Sequence, residues 1–122
     1  MPRVVHFDVP ADDPERAIKF YGEVFAWKFH KWSGPMDYWL ITTGSAEEAG
    51  IDGGMAKRRN PNEGVINTIG VPSVDEYLKK ITAAGGKILL PKMAIPGVGW
   101  YASCQDPERN IFGLMEDDPG AK

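Results

Sequence analysis

The stretch Val4–Phe25, VVHFDVPADDPERAIKFYGEVF, predicts a strand followed by a helix. Because side chains alternate along a strand, His6 and Asp8 share one face. Asp13 before Pro14 is the N-cap and N1 pair that starts a helix. Apolar residues favour the strand and then continue as one helical stripe: Val4, Val5, Phe7 and Val9, followed by Ala17, Ile18, Tyr21, Val24 and Phe25.

A second stretch, Val65–Ala84 (VINTIGVPSVDEYLKKITAA), repeats this pattern. Placing Val9-Pro10 over Val71-Pro72 gives an offset of 62 residues, which indicates an internal duplication. Ser73 and Glu76 have the spacing of a capping box. An apolar stripe again marks the helix, which Gly85-Gly86 ends: Val74, Tyr77, Leu78, Ile81 and Ala84.

The remaining segments predict six further strands, of which the short one at Gly53–Ala56 is alternatively a bulge. They cover Trp27–Trp32, Tyr38–Thr43, a short Gly53–Ala56, Lys87–Leu90 leading into a loop at Pro91–Gly99, Trp100–Gln105 and Ile111–Glu116. Glycine at 53–54 lets another backbone or a ligand come close. The predicted fold class is therefore α+β, with two tandem βαβββ modules, about 1–59 and 64–117, in a single domain of residues 1–122.

Composition narrows the classes of partner. The net charge is −3 and no basic run exceeds Lys57–Arg59, which argues against nucleic acid. No apolar run approaches the roughly 20 residues that span a bilayer, so no membrane partner is expected. The start, MPRVVHF, lacks a signal-peptide pattern, and a cytoplasmic location is predicted. The single cysteine, Cys104, is interpreted as a small buried residue rather than a nucleophile.

Three segments together resemble the vicinal oxygen chelate superfamily: HFDVPADDPERAIKFYGEVFAW, GGM and PKMAIPGVGWYASCQDPERNIFGLME. This superfamily contains glyoxalase I, extradiol dioxygenases and bleomycin- and fosfomycin-resistance proteins. Among its members, the chain is most similar to small proteins related to lactoylglutathione lyase. The resemblance implies curved sheets around a cleft that holds a small-molecule ligand or substrate. It also makes a homodimer an expected arrangement, since members pair their modules within one chain or between two.

The resemblance further implies a divalent metal, such as zinc, nickel, cobalt or manganese. The family's ligands on the first and last strands fall on His6 and Glu116, which are also the candidate catalytic residues. Thr68 aligns with His6 at the offset of 62, and the last strand of module one offers Met55 or Lys57. The implied set is therefore two ligands of four, whereas a catalytic metal usually takes about three from the protein.

Alternative roles remain for each candidate. His6 is a ligand, a general base or a buried structural histidine, and Asp8 on its face offers a further oxygen. Glu116 either faces the cleft or is a solvated charge that ends a strand. A substrate pocket is predicted from residues for which core packing is the alternative: Trp39, Thr68, Trp100 and Tyr101.

Two functions of different class follow. The first is a glyoxalase-related enzyme that acts on a small carbonyl or vicinal-oxygen compound, with a degenerate metal site. The second is a metal-independent protein that sequesters a small molecule, as bleomycin-resistance proteins do.

Overall fold

The computed structural model describes residues 2–122, which form two helices and eight strands. In chain order these are β1 (Arg3–Ala11), α1 (Pro14–Phe25), β2 (Lys28–Lys31), β3 (Tyr38–Thr42), β4 (Gly53–Lys57), β5 (Ile66–Gly70), α2 (Val74–Ala83), β6 (Lys87–Ile95), β7 (Gly99–Gln105) and β8 (Ile111–Asp117). The predicted α+β class is confirmed.

The chain divides into two compact units with the same internal topology. The first unit is His6–Val65, and the second is Ile66–Lys122 together with residues 2–5. In the first unit the strand order is β2-β3-β4-β1, with β1 parallel to β4 and the other pairs antiparallel. In the second it is β6-β7-β8-β5, with β5 parallel to β8. The two tandem βαβββ modules are therefore confirmed.

In the first unit, α1 packs on one face of its sheet. The Asp13 carboxylate accepts the Arg16 N–H at 3.3 Å, so the predicted cap starts the helix. The helix stops at Ala26, whose φ of 59° is left-handed. Apolar side chains from the helix and from alternate strand positions form this core: Phe7, Val9, Ala11, Ala17, Ile18, Tyr21, Trp27, Phe29, Trp39, Ile41 and Met55.

In the second unit, α2 is placed in the same way. The Ser73 hydroxyl accepts the Glu76 N–H at 3.2 Å. Cys104 is fully buried, as predicted, and burial raises the pKa of its thiol. The core under α2 contains Ile69, Val71, Val74, Tyr77, Leu78, Ile81, Trp100, Ala102, Cys104, Phe112 and Leu114.

The structure corrects the offset between the modules from 62 to 60 residues. The two N-caps are Asp13 and Ser73, which lie 60 positions apart. The Val-Pro pairs misled the alignment because Pro10 lies within β1, paired with Ala56, whereas Pro72 follows the end of β5. In the corrected alignment the buried core residues Ala11 and Val71 coincide.

The predicted loop at Pro91–Gly99 is also wrong, because β6 continues to Ile95. Pro91 lacks an N–H, but β6 is the last strand of its sheet in the second unit, where a proline costs no ladder bond on the outer side. Neither helix found between residues 2 and 122 has the length and apolar character required to cross a bilayer.

Candidate functional site

In the first unit, three polar side chains meet on the sheet face opposite α1. His6 Nε2 lies 2.8 Å from Tyr38 Oη, and the Tyr38 hydroxyl donates to Asp8 Oδ1 at 2.5 Å. His6 Nε2 and Asp8 Oδ1 are 3.4 Å apart, and each of these two side chains is 30% exposed. The predicted shared face of His6 and Asp8 is therefore confirmed, and we call this group the His6–Asp8–Tyr38 cluster.

The role of His6 in the cluster depends on which ring nitrogen carries the proton. An ionised carboxylate only accepts hydrogen bonds, so the Tyr38 hydroxyl proton points to Asp8. In the His6 tautomer that carries its proton on Nε2, the ring then donates to the Tyr38 oxygen. In this arrangement the Nε2 lone pair is unavailable to a metal or to a substrate proton, and Nδ1 is the remaining ring nitrogen.

Gly54 makes room for Tyr38. It is the β4 partner of Asp8, and a Cβ added to it would overlap the Tyr38 hydroxyl oxygen. The glycine permits a close approach, but the approaching group is the Tyr38 side chain, whereas the sequence predicted another backbone or a ligand. The Trp32 ring packs edge-on against Tyr38 at 6.1 Å. Neither Tyr38 nor Trp32 was a sequence candidate, since only the pairing of β3 with β4 brings Tyr38 to Gly54.

The second unit carries a related arrangement at Thr68, Tyr101 and Gly113. Thr68 pairs with Gly113 as Asp8 pairs with Gly54. Tyr101 pairs with Met115, two residues beyond that glycine, as Tyr38 pairs with a residue two beyond Gly54. Thr68 is therefore the counterpart of Asp8, whereas the sequence had aligned it with His6.

Glu116 points to the other face of its sheet. Leu114, two residues earlier on β8, is in the core under α2, so Glu116 faces the helix too. Its Oε1 accepts the N–H of Val74, the first residue of α2, at 2.9 Å. A carboxylate at a helix N-terminus accepts a hydrogen bond from a free backbone N–H and interacts favourably with the positive end of the helix dipole. Glu116 thus has a structural role that neither sequence alternative anticipated.

This role predicts how Glu116 variants behave. We expect Glu116→Ala to lower the free energy of unfolding by about 1 kcal/mol, as loss of a helix cap does. Glu116→Gln keeps an oxygen acceptor for the Val74 N–H and should lose less than half of that. Urea unfolding of both variants measures the difference. Equal losses in the two variants would contradict a capping role.

The two tryptophans predicted for a pocket lie on the helix-covered faces. Trp39 belongs to the core under α1, and Trp100 packs with the core under α2. The Lys92 ammonium lies 4.6 Å from the Trp100 ring centroid and 2.8 Å from the Asp75 carboxylate. This hydrogen bond to Asp75 raises the pKa of Lys92. Thr68 and Tyr101 lie on the face opposite α2.

Trp100 also makes the contribution of Asp118 to stability depend on pH. Its indole N–H donates to Asp118 at 3.0 Å, and the Gly120 N–H donates at 2.9 Å. The Trp100 hydrogen bond, followed by that of Gly120, holds the pKa of Asp118 below its usual value. Because the folded pKa is the lower one, the stabilisation is present above the ordinary aspartate pKa and is lost as the pH falls through the folded value.

We therefore expect the Tm difference between wild type and Asp118→Asn to be constant near neutral pH. It should shrink as the pH falls below about 3.9, the ordinary pKa of aspartate. Scanning calorimetry from pH 7 to pH 2 measures it, and Asp117→Asn is the control for removing one neighbouring charge. A Tm difference that stays the same at every pH would contradict this assignment.

The donors near His6 are too few for a catalytic metal site. Within residues 2–122, no group of three or more histidine, cysteine, aspartate and glutamate side chains is placed to hold an ion. Around His6 the candidates are its own ring and Asp8, and Nε2 is already bonded to Tyr38. This donor set does not fit a site that usually takes about three protein ligands, so we derive no step through a metal.

Two kinds of relative share sequence with this chain. Residues 3–44, which contain the whole cluster, match the family described as bleomycin resistance protein-like N-terminal. Proteins named "Putative glyoxylase CFP32", from Mycobacterium tuberculosis and Mycobacterium bovis, are 28% identical over 114 residues, covering 88% of this chain. The chain spans 41% of the length of these curated relatives.

Solved structures share the fold at low identity. A hypothetical protein from Bacillus halodurans has a TM-score of 0.75 at 12% identity, covering 99% of this chain and 98% of that one. Methylmalonyl-CoA epimerase from Streptomyces coelicolor, in complex with 2-nitronate-propionyl-CoA, has a TM-score of 0.72 at 13% identity, covering 98% and 97%. The two sequence relatives, the shared fold and the repeated βαβββ topology support the resemblance to the vicinal oxygen chelate superfamily.

Proposed function

We propose that this chain binds a small oxygen-bearing molecule through the His6–Asp8–Tyr38 cluster, without needing a metal. The observation that carries the proposal is the geometry of the cluster, in which His6 Nε2 lies 2.8 Å from the Tyr38 hydroxyl and that hydroxyl donates to Asp8. A histidine used in this way positions polar groups for a ligand and does not present Nε2 to an ion. The match of residues 3–44 to a bleomycin resistance protein-like family supports a binding role.

The cluster offers a ligand two kinds of contact. The His6 ring and the Asp8 carboxylate, both partly exposed, recognise hydroxyl and carbonyl groups by hydrogen bonding. Trp32 beside Tyr38, and Leu40, which is 41% exposed on the same face, provide an apolar surface. Such a mixture of a few polar groups with apolar and aromatic side chains is typical of small-molecule sites. The proposed ligand therefore lies at this face of the first unit.

A second candidate is a glyoxalase-like enzyme acting on a small carbonyl or vicinal-oxygen compound. The mycobacterial relatives named as glyoxylases favour it, although this chain spans less than half of their length. In that case His6 would be the proton-transfer residue, and its Nδ1 or a released Nε2 would accept the proton. Glu116 is an unsuitable base in this reading, because it caps α2.

The test is calorimetric titration in EDTA with three probes: bleomycin, the hemithioacetal of methylglyoxal and glutathione, and methylmalonyl-CoA. We expect saturable binding of at least one probe, with affinity reduced about tenfold or more in Tyr38→Phe, which loses hydrogen bonds to a charged partner. Tyr77→Phe, on α2 of the second unit, is the matched control. Binding of none of the probes to the wild type would overturn the proposal.

The same titration separates the candidates. Turnover of the hemithioacetal that is lost in a folded His6→Ala variant would favour the enzyme. Probe binding that appears only after adding zinc, nickel, cobalt or manganese would show that the predicted metal is needed. Light scattering of the same samples tests the predicted homodimer.

A further inference from the structure

Four side chains form a square on the sheet face of the first unit that lies opposite α1. His30 on β2 pairs with Leu40 on β3. Trp32, the residue after β2, donates its backbone N–H to the Tyr38 carbonyl at 2.8 Å. Phe29 packs in the core under α1, so His30 next to it points away from the helix. Because side chains directly opposite each other have Cβ atoms about 5 Å apart, the four residues are mutual neighbours.

The two larger rings of this square form a corner. The ring planes of Trp32 and Tyr38 meet at 82°, and their centroids are 6.1 Å apart. Leu40 beside them and His30 at the remaining position are both exposed. Aromatic rings favour offset stacking and edge-to-face contact with one another. A flat ring placed over Leu40 can therefore stack on one ring of the corner and meet the other with its edge.

Gly34, in the turn after β2, keeps the Trp32 ring in place. A Cβ on Gly34 would lie 2.2 to 2.3 Å from three carbons of the six-membered part of the Trp32 ring. The ring therefore packs directly against the glycine backbone, and a larger residue would displace it. A side chain that is fixed before binding loses less conformational entropy when the ligand arrives. The contacts with Gly34 and Tyr38 thus prepare Trp32 for a ligand.

The square adjoins the His6–Asp8–Tyr38 cluster along one row of the sheet. Leu40 pairs with Gly54, which in turn pairs with Asp8. Two strand spacings of about 4.8 Å therefore separate the backbones of Leu40 and Asp8, about 10 Å in total. Gly54 has no side chain, and the Tyr38 hydroxyl lies at its Cβ position. A ligand ring over Leu40 can thus present an oxygen on a short arm to the cluster.

We propose that the square binds a flat aromatic ring of the small molecule, whose hydroxyl or carbonyl oxygen reaches the cluster. The ligand class is an aromatic compound that carries an oxygen on an arm of one or two carbons. This proposal rests on the proposed binding function and assigns its apolar contact to one kind of group. Trp32 decides the preference for an aromatic ring, and Gly34 is a positioning residue that acts through Trp32.

The first test compares two alcohols that have the same arm and the same hydroxyl. 2-Phenylethanol and 2-cyclohexylethanol are titrated into the wild type, and NMR follows the His6 ring signals and the Trp32 indole N–H. We expect the phenyl compound to bind about threefold more tightly or better, because its ring can stack. A surface that is only apolar would favour the saturated ring, which is the more hydrophobic of the two. Equal or tighter binding of 2-cyclohexylethanol overturns the proposal.

The second test separates the ring contact from a general loss of structure. Trp32→Leu keeps an apolar side chain, so the phenyl preference should disappear while 2-cyclohexylethanol binds within about twofold of the wild type. Gly34→Ala displaces the outer atoms of the Trp32 ring, which can rotate, and should abolish the preference at nearly unchanged Tm. Phe20→Leu is the matched aromatic control, because Phe20 is an exposed residue of α1.

The preference should survive in Phe20→Leu, and its survival in Trp32→Leu would overturn the proposal. A double variant tests how Gly34 acts. In the Trp32→Leu background the displaced ring is absent, so adding Gly34→Ala should change neither affinity. An equal effect of Gly34→Ala in both backgrounds would refute its positioning role.

The two proposals fail separately. Tyr38→Phe removes only the hydroxyl, so both alcohols should bind more weakly and the phenyl preference should remain. A preference in the wild type with no weakening in Tyr38→Phe would refute the role of the cluster and keep the aromatic site. If neither alcohol binds the wild type, the aromatic site is overturned. Binding of bleomycin, the hemithioacetal or methylmalonyl-CoA that weakens in Tyr38→Phe would then still support the proposed function.

Discussion

Replacing Gly54 with alanine is expected to abolish ligand binding at the His6–Asp8–Tyr38 cluster while the first unit stays folded. The new methyl group would overlap the Tyr38 hydroxyl, which is the far end of a side chain that can rotate away. The rotation breaks both hydrogen bonds of the cluster, to His6 and to Asp8. The bond to Asp8 involves a carboxylate, and the bond to His6 uses the same hydroxyl. We therefore expect an affinity loss of about a hundredfold, near 3 kcal/mol.

The stability cost of Gly54→Ala should be much smaller than its effect on binding. Alanine suits a strand better than glycine, and this gain offsets part of the strain of moving Tyr38. We expect a net loss of about 1 kcal/mol, the lower limit for an overpacked site. Histidine side-chain NMR gives the direct measurement, because His6 Nε2 should lose its hydrogen-bonded signal.

The control for Gly54→Ala is Gly22→Ala on α1. A Cβ at Gly22 makes only an ordinary contact, 3.7 Å from the Trp27 carbonyl oxygen. This variant should keep both the His6 signal and ligand binding. If Gly54→Ala also keeps them, Tyr38 does not hold the position that the cluster requires.

Local signals in the sequence were sufficient for most of the fold. Asp13 and Ser73 fix the starts of the two helices by their own hydrogen bonds to the third residue beyond. The apolar stripes of the helices already coincide at an offset of 60, as Tyr77 over Ala17 illustrates. The Val-Pro pairs suggested 62 because a proline in a strand and a proline after a strand look alike in one sequence. Only strand pairing separates them.

The candidate site was less accessible because it depends on long-range register. Alternation placed His6 and Asp8 together, but Tyr38 reaches them only through the β3–β4 and β1–β4 pairings. The orientation of Glu116 depends on which residues of β8 face α2, and Leu114 is one of them. A shift of one residue would have turned Glu116 to the opposite face. The residue types in β8 do not by themselves decide between these two orientations of the strand.

Replacing Gly99 with alanine is expected to be the most destabilising of the single substitutions considered. Gly99 is buried at the start of β7 and pairs with Asp117 on β8. A Cβ there would overlap the backbone carbonyl oxygen of Glu116, and a backbone atom in a paired strand cannot rotate away. The start of the β7–β8 pair must therefore separate, and the Glu116 cap of α2 moves with it.

We expect Gly99→Ala to lower the free energy of unfolding by about 3 kcal/mol or more, at the upper end for overpacked sites. Urea unfolding followed by circular dichroism measures it, with Gly64→Ala as control. A Cβ at Gly64 meets nothing within 4 Å, so this variant should stay within about 0.5 kcal/mol of the wild type. Equal stability of the two variants would show that β7 and β8 tolerate a side chain between them. The close approach of Gly99 to Glu116 would then not be what holds the α2 cap in place.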